Sequence, residues 1–302
     1  MIKEYALEPS LLSNWDRFQR YISLFGVPNG RLISRFPKKW QLLVLENLTC
    51  GEVERHRIIE ALARAAKSVL LSREQGMWQD ASTWLTNVLS EHRRKPFEAI
   101  LANSEVAGHS EVIDGNALDV TALPIPLRAG PSKIVVRTAV EMARSIRLLL
   151  QISKKIVIVD RNFSPDIMRF REPLREILNC FLDQYGRVRS VDIELHLSHR
   201  VLASATNFGI ACQAHLENVI PEGMMLTIVR WNHEELHNRY ILTDRGGVQL
   251  GEGLDEANER SSRNQDTLTL LSQNDSDALL NRYDSVRQND KTKLIRIAGR
   301  LR

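Results

Sequence analysis

The 302-residue chain is predicted to be an α/β domain preceded by an all-helical N-terminal domain. Three observations lead there. Through roughly the first hundred residues, apolar side chains recur at three- and four-residue spacing with no strand-like alternation. From Ile134 onward, short β-branched runs alternate with helical periods, the pattern of α/β domains. Between Asn103 and Lys133, Gly108, Gly115, Gly130, Pro124, Pro126 and Pro131 interrupt any period. The expected division is residues 1–105, helical; 106–133, a linker or crossing segment; and 134–302, the α/β domain.

In the first domain the clearest helix begins near Glu52. Ile58, Ile59, Leu62, Ala65, Ala66, Val69 and Leu70 line one face, with Glu54, Arg57, Glu60, Arg64 and Lys67 on the other. Trp78, Trp84, Leu85, Val88 and Leu89 predict another helix after the Gly76 break. Trp15, Trp40, Trp78 and Trp84 sit in apolar helical patterns and are expected to fill the core rather than stack on bases. Glu111 to Ile113 is short enough for an edge strand. Val135 to Leu150 is expected to be helical, leading into a buried strand from Lys155 to Asp160. Ser164 is the expected N-cap and Pro165 the first residue of the next helix, which Pro173 should kink or divide. A strand over 191–197, a helix over 206–219 and a strand over 225–231 follow. The remaining expected elements are strands at 240–243, 248–250 and 267–271 and a terminal helix at 276–283.

Hydrophobic residues make up 43% and charged residues 26%, enough for a well-buried core in two domains. The formal net charge of +4 permits attraction to nucleic acid or anionic lipid without demanding it. No transmembrane-length apolar run occurs, and the opening MIKEYALEPSLLSNW lacks the basic-then-apolar design of a secretion signal, so a cytoplasmic location is expected. Cys50, Cys180 and Cys212 are widely spaced and odd in number, which indicates neither a disulfide framework nor a zinc ribbon.

The chemistry concentrates in HNRYILTDRGGVQLGEG, His237 to Gly253. A phosphodiester resists attack because its anionic oxygens repel nucleophiles, so a site must supply positive charge, a nucleophile or base, and an acid for the leaving oxygen. If the strand holds, His237 and Arg239 share one face two residues apart and point at one phosphate. A neutral imidazole attacks, and Arg239 grips two phosphate oxygens through its planar fork. Asp244 is the candidate supporting carboxylate. Gly251, Glu252 and Gly253 are candidate substrate-binding residues, although glycines in a tight hairpin have an ordinary conformational explanation. Asp160, at a strand end where α/β folds place functional carboxylates, joins them; capping the next helix is the competing role. The spacing H-x-R-x4-D-x6-G resembles the phospholipase D superfamily, whose pattern is H-x-K-x4-D-x6-G-S. The strand ending at Asp160 and the later Gln265-Asp266-Thr267-Leu268 extend the resemblance over roughly Ile134 to Tyr283. Arg239 stands at the lysine position and Glu252 at the serine position.

The resemblance implies an α/β fold with a mixed sheet flanked by helices, a histidine nucleophile, no metal and no cofactor. With one motif per chain, it also implies a homodimer whose two histidines face each other as nucleophile and acid. His196 and His199 lack the matching cation and aspartate spacing. The function it implies is a metal-independent phosphodiesterase, a nuclease rather than a lipase, of the kind found in bacterial antiviral defence, with the N-terminal domain meeting a protein partner. The main alternative is a catalytically degenerate module that binds an anionic ligand or a protein. A third reading is a zinc peptidase: His233-Glu234-Glu235-Leu236-His237 matches H-E-x-x-H, with Glu256 or Glu259 as third ligand, but it requires one helix across the motif. The ordinary role for His233 is a solvated turn residue.

Overall fold

The computed structural model describes residues 1–104, 108–128, 130–183, 185–202, 207–257, 264–284 and 294–300. The chain divides into two compact units, Met1–Gly130 and Pro131–Arg302.

The first unit is built on a parallel sheet, which corrects the all-helical expectation. Its elements run β1 (Lys3–Leu7), α1 (Trp15–Ile22), β2 (Arg31–Ser34), α2 (Trp40–Glu46), α3 (Glu52–Ser68), β3 (Leu70–Leu71), α4 (Trp84–Arg94), β4 (Ile100–Ala102) and β5 (Val112–Asp114). The strand order is β3-β2-β1-β4-β5, every neighbouring pair parallel. Alternate residues of each strand serve opposite faces. Tyr5, Leu7, Ile33 and Leu101 pack against Phe18, Tyr21, Trp40, Val44, Ile58 and Leu62 from α1, α2 and α3. Ala6, Ile100, Ala102 and Val112 pack against Val88 of α4, with Phe36 and Phe97. A sheet covered on both faces needs apolar residues at every strand position. Strands of two or three residues with that composition, LL and ILA, fit the neighbouring helical period equally well and were read into it; Leu70, read as a helix face, pairs in β3. α3 begins at Glu52, where periodicity placed it; α4 begins at Trp84, so Trp78, expected in the same helix, lies before it outside any regular element. Trp40 is fully buried and its Nε1 donates to the Leu7 carbonyl at 2.7 Å, a core role as expected.

The expected crossing segment begins inside this first sheet, because β5 is its edge strand. Where a helix was expected from Val135, β-branched Ile134-Val135-Val136 forms a strand instead. The second unit runs β6 (Ser132–Val136), α5 (Ala139–Ile152), β7 (Lys155–Val159), α6 (Met168–Asn179), β8 (Asp192–Ser198), α7 (Phe208–Leu216), β9 (Met225–Trp231), β10 (Arg239–Thr243), β11 (Gly246–Leu250), β12 (Gln265–Leu270), α8 (Gln273–Arg282) and β13 (Leu294–Ala298). Thr138 caps α5 by accepting from the Glu141 amide. Ser164 does not cap α6; its hydroxyl bonds Asp166, the helix starts at Met168, and Pro173 lies inside it. The sheet order is β13-β9-β8-β7-β10-β11-β12-β6; β7, β8 and β9 are mutually parallel and the other pairs antiparallel. This unit is a mixed α/β sheet flanked by helices.

A polar network links neighbouring strands β7, β8 and β9 to Asp284, just past α8. His196 is completely buried, its Nδ1 accepting from Trp231 Nε1 at 2.8 Å and its Nε2 facing Glu194 at 2.9 Å. Glu194 lies 3.4 Å from Lys155, which also pairs with Asp284 at 3.0 Å. With both ring nitrogens engaged, His196 is a structural histidine. Burial holds its pKa below the ordinary value, with Glu194 opposing.

Candidate functional site

Strand directions gather the polar residues of the second unit at one sheet edge. The parallel strands β7, β8 and β9 end there, at Val159, Ser198 and Trp231. Antiparallel β10 starts there, with Tyr240 opposite Val159, and β11 ends there, with Arg239 opposite Leu250. Carboxyl ends of parallel strands are where α/β sheets present reactive groups, since side chains just past a strand leave the packed layer.

Asp160, the residue after β7, is completely buried. Its Oδ1 accepts from the Asn162 amide at 2.9 Å and its Oδ2 from the Leu254 amide at 2.8 Å, while Arg239 Nε lies 3.8 Å from Oδ1. Burial pushes its carboxyl above the usual range, against the pull of the two amides and the guanidinium. Asp160 therefore clamps the loop after β11 as well as shaping its own turn. The glycines of that loop are demanded by contact. Gly253 has φ +114°, and a Cβ there would lie 2.6 Å from Asp160 Oδ2 and 2.9 Å from Arg239 Cδ. A side chain on Gly251 would run into Asp266, whose Oδ1 takes the Glu252 amide at 3.0 Å and the Thr267 amide at 2.7 Å. Asp255 pairs with Arg137 and lies 3.7 Å from Arg169. Glu256 receives the Ala139 amide at 2.7 Å, at the start of α5.

Arg239 is thus partly committed. Besides facing Asp160, its Nη1 donates to the Gly251 carbonyl at 3.2 Å, and its side chain is 21% exposed. His237 is exposed on the segment leading into β10 and makes no hydrogen bond or ion pair with another described residue. Asp244 is not brought to these residues. It sits at the β10–β11 turn, about 17 Å from Arg239 along the strand at ordinary strand rise. There its Oδ1 accepts from the Lys154 and Lys155 amides at 2.8 and 3.2 Å. The five-residue strand between the two positions makes the separation unavoidable, so the electrostatic role expected for Asp244 is corrected to a structural one.

The zinc arrangement is corrected too. His233 to Glu235 is a single 3-10 turn, and Leu236 is extended at φ −107° and ψ 99°, so His233 and His237 do not share a helix. Glu235 caps this turn through the Asn232 amide and Glu234 pairs with Arg200 at 2.9 Å. Glu256 is used at α5, Glu259 lies outside the described residues, and among the described residues no group of three metal-ligating side chains forms.

The edge also holds Ser198, which sequence reasoning passed over, together with His199 and His233, which it did not place at this edge. Ser198 Oγ lies 3.0 Å from His233 Nδ1, and the His233 amide donates to His199 Nδ1 at 3.2 Å. Desolvation, then the nearby Arg200 and Arg161 guanidiniums, hold the His233 imidazole below its ordinary pKa. A signal was present: Ser198-His199-Arg200 and Asp160-Arg161 are abrupt polar runs at the ends of apolar strands.

No protein-family model matches the chain, and no curated protein does. Among solved structures, TrmBL2, described as an archaeal chromatin protein with a novel mode of DNA binding, aligns at 11% identity with a TM-score of 0.29, covering 53% of this chain and 53% of that one. The present chain thus spans about half the length of that protein. Nuc from Salmonella typhimurium, a phospholipase D family member, aligns at 10% identity with a TM-score of 0.35, over 56% of this chain and 98% of that one. Likeness of this degree carries no functional conclusion.

Proposed function

We propose that the second unit is a phospholipase D-like module that holds the phosphodiester backbone of a nucleic acid against this sheet edge. The observation that carries the reading is the gathering of His199, His233 and His237 with Arg161, Arg200 and Arg239 where β7 to β10 meet. An open edge with several cations suits a polyanion, whose successive phosphates contact separate side chains. Nucleic acid is preferred to lipid because the sequence offers no membrane-surface helix, and no helix among the described residues is long and apolar enough to cross a membrane. A cytoplasmic place in antiviral defence, with a protein partner on the first unit, is the biological setting consistent with this reading.

A second reading is metal-independent hydrolysis, favoured by the accessible, unengaged His237. In it a ring nitrogen of His237 bonds to phosphorus as the ester oxygen leaves with a proton from the His237 of a second copy. Water then releases the phosphoryl group from the ring. One feature weighs against it: Arg239 is already held by Asp160 and the Gly251 carbonyl.

Incubating the protein with single- and double-stranded DNA and RNA in chelator separates the two. The binding reading expects retained complexes, weakened by Arg239→Ala, and intact strands. Cutting that His237→Ala abolishes, by a species that sizes as a dimer, would establish hydrolysis instead. Absence of any complex at low salt would refute both.

A further inference from the structure

The carboxyl edge of the first sheet holds a cavity of about 280 Å3 lined by Arg35, Lys38, Ser72, Arg73 and Gln75. Arg35 directly follows β2, and Ser72 and Arg73 directly follow β3, so the cavity opens where parallel strands of a sheet with helices on both faces come to an end. No carboxylate lines it.

Its walls are fixed by side-chain bonds. Gln75 Nε2 donates to the Arg35 carbonyl at 2.5 Å, and Gln75 Oε1 accepts from the Lys38 amide at 3.0 Å, pinning the loop that carries both cations. Arg73, with a side chain 1% exposed, lies 3.3 Å from Glu4 and 3.1 Å from Glu91, and its guanidinium stacks 4.0 Å from the centre of Phe97. Its charge is balanced. Arg35 and Lys38 have no ion pair with a described residue, and Arg35 Nε is buried without a hydrogen-bond partner among the described residues. A buried guanidinium N–H left unsatisfied is costly, and an anion in the cavity removes that cost.

We infer that this cavity binds a terminal phosphate, carried by a free nucleotide or by the end of a nucleic acid strand. Two uncompensated cations match the two negative charges of a phosphate monoester, and the arginine fork suits its oxygens. The cavity is also larger than one phosphate needs, leaving room for part of a sugar or base. The site is lined by residues of the first unit alone, and the inference does not depend on the function proposed for the second unit.

The test is titration of the full chain with pyrophosphate and with AMP by calorimetry. A second titration uses paired oligonucleotides that differ only in a 5′-phosphate or a 5′-hydroxyl. Both small probes should bind, with affinity falling roughly tenfold or more in Arg35→Gln and severalfold in Lys38→Gln. Lys38 is exposed, so that variant reports on the site without endangering the fold. A 5′-phosphate advantage that disappears in Arg35→Gln assigns the phosphate to a strand end, and none assigns it to a free nucleotide. Failure of both small probes to bind below about 10 mM, or equal binding by wild type and both variants, overturns the inference.

Discussion

Replacing Gly253 by alanine tests the packing that holds Arg239 in place. Two costs are separable. At φ +114° an L side chain meets backbone strain of about 1–2 kcal/mol. The added methyl would also sit 2.6 Å from Asp160 Oδ2 and 2.9 Å from Arg239 Cδ, and forcing a group into packed surroundings costs about 1–3 kcal/mol. The sum is about 2–5 kcal/mol. Gly186→Ala is the control: its φ is +75°, but nothing among the described residues lies within 4 Å of the new carbon, so only backbone strain applies. Urea unfolding followed by circular dichroism gives the two losses of stability. Hydrogen exchange at the Leu254 amide, which donates to Asp160, locates the damage and should quicken roughly 30-fold for each 2 kcal/mol lost. If Gly253→Ala costs no more than Gly186→Ala and the Leu254 amide stays protected, the contact between Asp160, Gly253 and Arg239 is wrong.

Asp244→Ala, at the hairpin tip, removes the acceptor for the Lys154 and Lys155 amides and should cost about 1–2 kcal/mol in urea unfolding while leaving nucleic-acid affinity unchanged. Loss of affinity at full stability would return Asp244 to the site. Because burial holds the His196 pKa down, its neutral form stabilises the fold above the unfolded-state value of about 6.5, and that stability is lost as pH falls through the lower folded value. Denaturation at a series of pH values should show this acid limb, and His196→Gln should flatten it; an unaltered limb would refute the assignment. Trp40→Phe leaves the buried Leu7 carbonyl without its donor and should lower the thermal midpoint by an amount equivalent to about 1–3 kcal/mol, whereas an unchanged midpoint contradicts the core role.

The second unit was largely legible because its strands are five to seven residues long where they frame the site and are separated by well-marked turns. The first was not, since strands buried on both faces lose the alternation that betrays a sheet, and two or three apolar residues such as those of β3 and β4 fit a helical period equally well. At the site, local spacing placed His237 beside the strand carrying Arg239 but misjudged Asp244, because a four-residue gap along a strand carries its ends apart. Asp266 and the Ser198-His199-Arg200 run reach the edge through β-pairing across distant segments, which one-dimensional spacing does not encode. Asp160 was found by its place at a strand end, yet its grip on the Leu254 amide depends on the fold.

The most direct test of the sheet edge is the salt dependence of binding to a fluorescent single-stranded oligonucleotide. With Arg161, Arg200 and Arg239 each meeting a phosphate, log affinity should fall against log salt with a slope of about −2, and each single alanine variant should flatten it by about 0.7. Unchanged slopes and affinities in all three variants would contradict the account.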